Sequence, residues 1–257
     1  MEILTFDLLG KFAHFRKYYA NNTALSYSLP PRTALMGMVA AMLGLPRDSY
    51  YGILGSKNIR FGIRILSPVK KSFHRLNHIK VIGVSDFRGR LGHTQTPFEV
   101  VTGLDLRTDY VQYRVYLSTN SAAGEDIIIR LKACLQDSAN VFSLALGSAN
   151  FTAQAKNFRV IPEDSWREKD GNLVGFTPIH SAVYSEQVSG INSSVGKLLV
   201  EEELIPADFI ADYNRELSRM CRVLFSTDGK PMLLHLKGKY IELNESNGEA
   251  ENIMFLD

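Results

Sequence analysis

Gly10-Lys11-Phe12-Ala13-His14-Phe15-Arg16-Lys17-Tyr18-Tyr19 opens the stretch that decides the fold. A polar loop, Asn21 to Ser28, leads from it into Pro30-Pro31-Arg32-Thr33-Ala34-Leu35-Met36-Gly37-Met38 and on to Gly44-Leu45-Pro46. Pro31 suits a first helical turn, where its missing N–H is no loss, and Gly44 with Pro46 supplies a stop, so a helix is predicted from about Pro31 to Leu43. Gly37, Ala41 and Gly44 share one face, which predicts close approach of the helix to a sheet. The helix has no face polar enough for water, whereas Lys11, His14, Arg16 and Arg32 cannot all be core. The loop between them is therefore expected to be held at a core edge, with its cations turned towards a polyanion.

Working outward, residues 2–9 alternate, with Leu4, Phe6 and Leu8 on one side of a half-buried strand. Ile59, Phe61, Ile63 and Ile65 alternate against Arg60, Gly62 and Arg64 in a second strand, and Val111, Tyr113, Val115 and Leu117 mark a third. Glu125-Asp126 starts a helix whose apolar face is Ile127, Ile128, Leu131 and Leu135, and Val141 to Leu146 reads as a fourth strand. This order is βαββαβ, that of a ferredoxin-like domain of RRM type in an α+β protein, with residues 1–150 as that domain. Its central hairpin carries an insertion of about residues 67–110, read as a long basic β-hairpin projecting from the sheet.

Residues 151–257 are expected to form a small C-terminal β-rich extension. Phe158 to Ile161, Leu173 to Phe176 and Val195 to Val200 are candidate strands, and Glu201-Glu202-Glu203 a solvated acidic edge. Pro206 to Leu217 reads as a short helix or loop. Met220 to Phe225, Pro231 to Leu236 and Tyr240 to Leu243 read as a meander turning at Asp228-Gly229 and Lys237-Gly238. Ser246 to Glu251 resembles a disordered acidic segment.

The net charge of +2 hides an asymmetry. Residues 1–116 hold 16 Lys and Arg against 7 Asp and Glu, and residues 117–257 hold 13 against 20. Lys57 to Gln95 alone has nine Lys and Arg, one acid and three of the six histidines. So one-sided a block favours a phosphate-bearing partner such as nucleic acid over a merely soluble face. Phosphate contact needs Lys, Arg or helix N-termini, and single-stranded bases need flat side chains to stack on. The candidate RNA contacts are Lys11, His14, Arg16, Lys17, Arg32 and Thr33 in the first stretch, and Lys70, Lys71, Arg75, His78, Lys80, Arg88, Arg90 and His93 in the hairpin. At least two of Phe12, Phe15 and Tyr18 are expected to pack beneath the loop.

No P-loop, GxGxxG, HExxH or zinc-type cysteine spacing occurs, so no metal or cofactor is expected. The two cysteines, Cys134 and Cys221, lie in apolar patterns and read as reduced and buried in a cytoplasmic protein. The longest apolar run, Ala34 to Leu45, is too short to span a bilayer, and no membrane partner is expected. Metal-independent RNA cleavage, with His14, Tyr50, Tyr51, His78 or His93 activating a ribose 2′-OH, is the alternative to binding alone. A third reading is a basic face that meets an acidic protein.

Gly10 to Arg16, Ser26 to Met38 and Leu43-Gly44-Leu45 together resemble the N-terminal signature of the Cas-five subunits of type I CRISPR interference complexes (Cascade, RAMP superfamily). The resemblance weakens to pattern level beyond residue 45, and its style is closer to type I-B. It implies a subunit that holds the 5′ handle of CRISPR RNA, against the Cas-seven type backbone subunit and the Cas-eight type large subunit, in antiviral defence. It places Arg16 and Arg32-Thr33 at the handle-binding edge and Lys70 to His93 in a thumb. Type I-C relatives process precursor RNA with a tyrosine and an adjacent Lys-His pair. Here Tyr50-Tyr51 follows the helix, but the nearest approach to that pair is His78-Ile79-Lys80, so the resemblance implies binding without catalysis.

Overall fold

A computed structural model describes residues 2–20, 23–119, 121–192, 199–210, 215–244 and 250–257. The chain starts with β1 (Ile3–Gly10), the paired two-residue strands β2 (Phe15–Arg16) and β3 (Ser26–Tyr27), and α1 (Arg32–Leu43). Pro31 stands at the N-cap of α1, and Gly44, with φ of 68°, closes it in the left-handed region that glycine tolerates. Next come β4 (Arg60–Ile65), the long hairpin of β5 (Val69–Ile79) and β6 (His93–Gly103), and β7 (Val111–Ser118). Then α2 (Ala122–Gln136), β8 (Leu144–Ala145) and β9 (Thr152–Ile161) follow. Ser121 caps α2 by accepting from the Gly124 N–H, so this helix begins one turn before Glu125.

The main sheet has the order β4-β7-β1-β9-β8, with every pairing antiparallel. Leu4, Phe6 and Leu8 meet Leu35, Met36, Val39 and Met42 of α1 and Ile127 and Leu131 of α2 in one core. The fourth long strand is not Val141 to Leu146, where only Leu144–Ala145 pairs, but β9, which runs beside β1. The core therefore continues past residue 150. The small face of α1 does not approach the sheet either: Gly37 and Ala41 line an open groove, with the Tyr50 hydroxyl 3.3 Å from the place a Gly37 Cβ would take.

The remainder is β10 (Trp166–Asp170), β11 (Thr177–Ile179), β12 (Val183–Tyr184), β13 (Val188–Ile191), β14 (Val200–Phe209), β15 (Leu217–Ser226), β16 (Met232–Leu236), β17 (Lys239–Asn244) and β18 (Ala250–Ile253). They form three three-stranded sheets, β10-β17-β18, β11-β16-β13 and β12-β15-β14. Pro206 to Phe209 belongs to a strand rather than a helix, while residues 211–214 lie outside the described residues. Leu173 closes a 3-10 turn, Gly171–Leu173, instead of opening a strand. The candidate strand from Val195 begins outside the described residues, and residues 246–249 of the acidic segment lie outside them too, but Glu251 is buried in β18.

This extension closes off the sheet. Ile3 and Tyr116, on the face away from the helices, are buried against Ile241, Leu243, Ile253 and Phe255. The outer edge of β4 is also sealed, since the Ala182 N–H donates to Ile63 O at 2.8 Å and the Leu256 N–H to Phe61 O at 2.7 Å. Glu251 accepts from the Tyr116 hydroxyl at 2.6 Å and pairs with Arg64 and, at 3.6 Å, with Arg114. Burial opposes its ionisation, but the Tyr116 hydroxyl and the two guanidiniums outweigh it and hold the carboxyl below its ordinary value.

Candidate nucleic-acid interface

The stretch after β1 is stitched to the root of the hairpin. Ala13 and Val101 exchange backbone hydrogen bonds of 2.9 and 2.8 Å, the Ala24 N–H donates to Pro97 O at 3.0 Å, and the Glu99 N–H donates to Ala24 O at 2.9 Å. The Glu99 carboxylate accepts from the Ser26 N–H at 2.7 Å. On the other side the His14 N–H donates to Leu146 O at 2.9 Å. Gly147, with φ of 88°, lies so close that a Cβ there would sit 1.9 Å from the His14 carbonyl oxygen. No side chain fits at that position. Phe15 is buried and Phe12 packs on Phe151 at 5.7 Å, whereas Tyr18 is 63% exposed.

These elements bound a groove of about 680 Å³. Its walls are the small face of α1 (Thr33, Ala34, Gly37), the Ser143–Ser148 loop, His14 with Phe98, and Tyr50 with Tyr51; Arg16, Tyr18 and Arg215 also line it. Asp48 accepts from the Tyr51 hydroxyl and from Arg215 Nε, the latter at 2.9 Å. Burial first, and then the Asp48 carboxylate, push the Tyr51 hydroxyl far above the ordinary tyrosine range. A phenol held in that way is a hydrogen-bond donor, the opposite of what a general base requires.

The fourteen sequence candidates divide by partner. Arg32 does not reach the groove: it is 0% exposed, paired with Asp208, and donates to Leu54 O at 3.0 Å and Ile59 O at 2.7 Å. Its placement at a phosphate-binding edge is thus corrected, because every outward route for the guanidinium is filled by protein. Lys17 is held by Glu203 at 2.7 Å, and Lys71 by Glu203 at 2.9 Å and Glu201 at 3.4 Å. Glu203 is buried whereas Glu202 is exposed, so the acidic run is a solvated edge only in part. Lys11 donates to Asp109 O at 2.9 Å, and Lys70 to Leu104 O. His14 and Thr33 are buried yet line the groove.

Arg16 in the first stretch, and Arg75, His78, Lys80, Arg88, Arg90 and His93 in the hairpin, are exposed and form no ion pair among the described residues. The hairpin's register places Arg75 opposite Pro97, His78 opposite Thr94 and Ile79 opposite His93. Much of the charge asymmetry of the sequence is therefore spent inside the molecule. Arg60 pairs with Asp257, Arg64 with Glu251 and Arg32 with Asp208, in addition to the two lysines. What stays free is concentrated on the hairpin. Sequence reasoning missed Phe98 and Arg215 in the groove; Gly147 after an apolar run was a usable signal, but nothing local marked Arg215.

Among the described residues no three His, Cys, Asp or Glu side chains are grouped to hold a metal ion, and no helix is long and apolar enough to cross a membrane. No curated protein matches the chain. Among solved structures, a crystal structure of a CRISPR protein from Archaeoglobus fulgidus aligns over 98% of this chain and 99% of its own, at 14% identity and a TM-score of 0.57. A chain described as a CRISPR RNA-guided surveillance complex aligns over 90% of this chain and 91% of its own, at 16% identity and a TM-score of 0.48. The first of these shows a shared α+β, strand-rich fold. Residues 3–165 match the model of the family described as CRISPR-associated protein (Cas_Cas5). With more than half of its length matched, the chain belongs to the Cas5 family of CRISPR-associated proteins.

Proposed function

We propose that this chain is a non-catalytic, cytoplasmic RNA-binding subunit of a type I interference complex, of type I-B style, that caps the 5′ handle of CRISPR RNA. In this reading the core is a ferredoxin-like domain of RRM type, and the β5–β6 hairpin is a thumb that closes over RNA lying in the groove. The backbone and large subunits are its protein neighbours. The observation that carries the reading is the set of free cations on a projecting hairpin whose root, through Phe98, is also a wall of the groove. RNA-recognition domains commonly stack bases on the open face of the sheet. The extension covers the Ile3 and Tyr116 end of that face, while Gln154 and Lys156 of β9 stay exposed beyond it, so the groove and hairpin are where aromatic rings for bases lie next to cations for phosphates.

The rival reading, a metal-independent endoribonuclease, draws on Tyr50, Tyr51 and His14 at the same groove. Incubating the purified protein with repeat RNA in a chelating buffer separates the two. The expected result is salt-sensitive binding of RNA that stays full length. Cleavage that disappears in Tyr51→Phe would establish the rival.

A further inference from the structure

The hydrogen-bonding capacity of His14 is half used. The ring is 7% exposed, stacks on Phe98 with centroids 4.0 Å apart, and places Nδ1 2.7 Å from the carbonyl oxygen of Glu99. A carbonyl oxygen only accepts, so Nδ1 carries the proton and the neutral ring presents Nε2 as a lone-pair acceptor. Among the described residues Nε2 has no partner, and the residue lines the groove. Its main chain is pinned by Leu146 O on one side and by the close approach of Gly147 on the other, so the acceptor cannot swing away.

The charged groups around the ring are Arg16 on its own segment and Glu99 on the hairpin; the Ser143–Ser148 loop brings none. Burial holds His14 below its ordinary 6.5, the Glu99 carbonyl opposes that, and Arg16 reinforces it. The ring is accordingly neutral at pH 7. Arg16 and Arg215, the cations of the groove, can only donate.

We infer that His14 Nε2 accepts a hydrogen bond from a donor on the nucleotide held in the groove, either an exocyclic base amine or a ribose 2′-OH, and selects for nucleotides that carry it. The inference rests on the reading of the groove as an RNA site. A rigid, nearly buried acceptor discriminates because a ligand without the donor leaves it unpaired.

The test measures binding of the full chain to octamers of adenosine and of cytidine. In one arm the 6-amino or 4-amino group is removed, and in the other the 2′-OH. In at least one arm, loss of the donor is expected to weaken wild-type binding about tenfold. His14→Asn keeps a donor near the Nδ1 position but no acceptor at Nε2, and should reduce that penalty to about twofold or less. His14→Gln, whose amide reaches the Nε2 position, should restore part of it. The wild-type penalty should be largest in neutral and mildly alkaline solution and shrink as the solution is made acid through and below the ordinary histidine range, where Nε2 gains a proton and the acceptor is lost. This profile requires no variant, so it stands even if His14→Asn folds poorly. Salt-sensitive binding with no penalty in either arm, or a penalty unchanged in a folded His14→Asn, overturns the inference alone. Absence of salt-sensitive binding overturns the functional reading, and this inference with it.

Discussion

Arg32→Ala is expected to cost about 3–5 kcal/mol of stability, the scale of removing one partner from a buried ion pair. The guanidinium is fully buried, pairs with Asp208, donates to the carbonyls of Leu54, Ile59 and Ala207, and lies 5.2 Å from the centre of the Phe61 ring. Truncation leaves several buried acceptors unpaired at once. Arg219, 3.2 Å from the other Asp208 oxygen, and the Ser56 N–H, 3.2 Å from the first, retain part of the compensation and keep the loss finite. Against a typical total of about 5–15 kcal/mol, the variant should melt many degrees lower or be recovered unfolded. Arg16→Ala, at an exposed residue with no carboxylate partner among the described residues, should change stability by about 0.5 kcal/mol or less. An Arg32→Ala protein of normal melting temperature that no longer binds RNA would return Arg32 to the RNA-contacting set.

The second large effect is expected from reversing the hairpin cations. With Arg75, Lys80, Arg88 and Arg90 all changed to Glu, RNA affinity should fall about a thousandfold at low salt. The slope of log K against log salt should shrink by about 3, since each single-strand phosphate contact contributes about 0.7. The melting temperature should hardly move, because the four are exposed and form no ion pairs among the described residues. Lys17→Met with Lys71→Met provides the contrast. Those changes strip Glu203 of its partners and should lower stability while leaving the salt slope almost intact. A slope unchanged by the four hairpin reversals would mean that the hairpin does not meet phosphates.

The difference between these two predictions was not visible in the sequence. Arg32 precedes an apolar helix in the same way that a phosphate-binding arginine would. Only Asp208, 176 residues further on, shows that it is a structural residue. The same holds for Lys17 and Lys71, whose partner Glu203 lies in a run of three acids that reads locally as a wet edge. Alternation did locate the strands Ile3–Gly10, Arg60–Ile65 and Val111–Ser118, because one apolar face of each packs on the helices while most residues between are polar or glycine; that Ile3 and Tyr116 are buried on the other face was not marked by it.

It failed for the fourth strand. Val141 and Phe142 are exposed despite their apolarity, whereas β9 carries Gln154, Lys156, Asn157 and Arg159 near the margin of the sheet and has a weak apolar signature. The turn chemistry of Pro31 and Gly44 was legible because backbone conformation depends on the residue itself. Ion pairs between distant segments were not, because neither residue carries a mark of its partner.

The account's central claim is that RNA lies in the groove and under the hairpin, away from the sheet face whose Ile3 and Tyr116 end the extension covers. Ultraviolet crosslinking of bound repeat RNA, followed by identification of the crosslinked peptides, tests it most directly. The account predicts crosslinks within residues 11–18, 73–93 and 143–148. Crosslinks concentrated instead in residues 166–170, 239–244 and 250–253, the strands laid over that face, would contradict it.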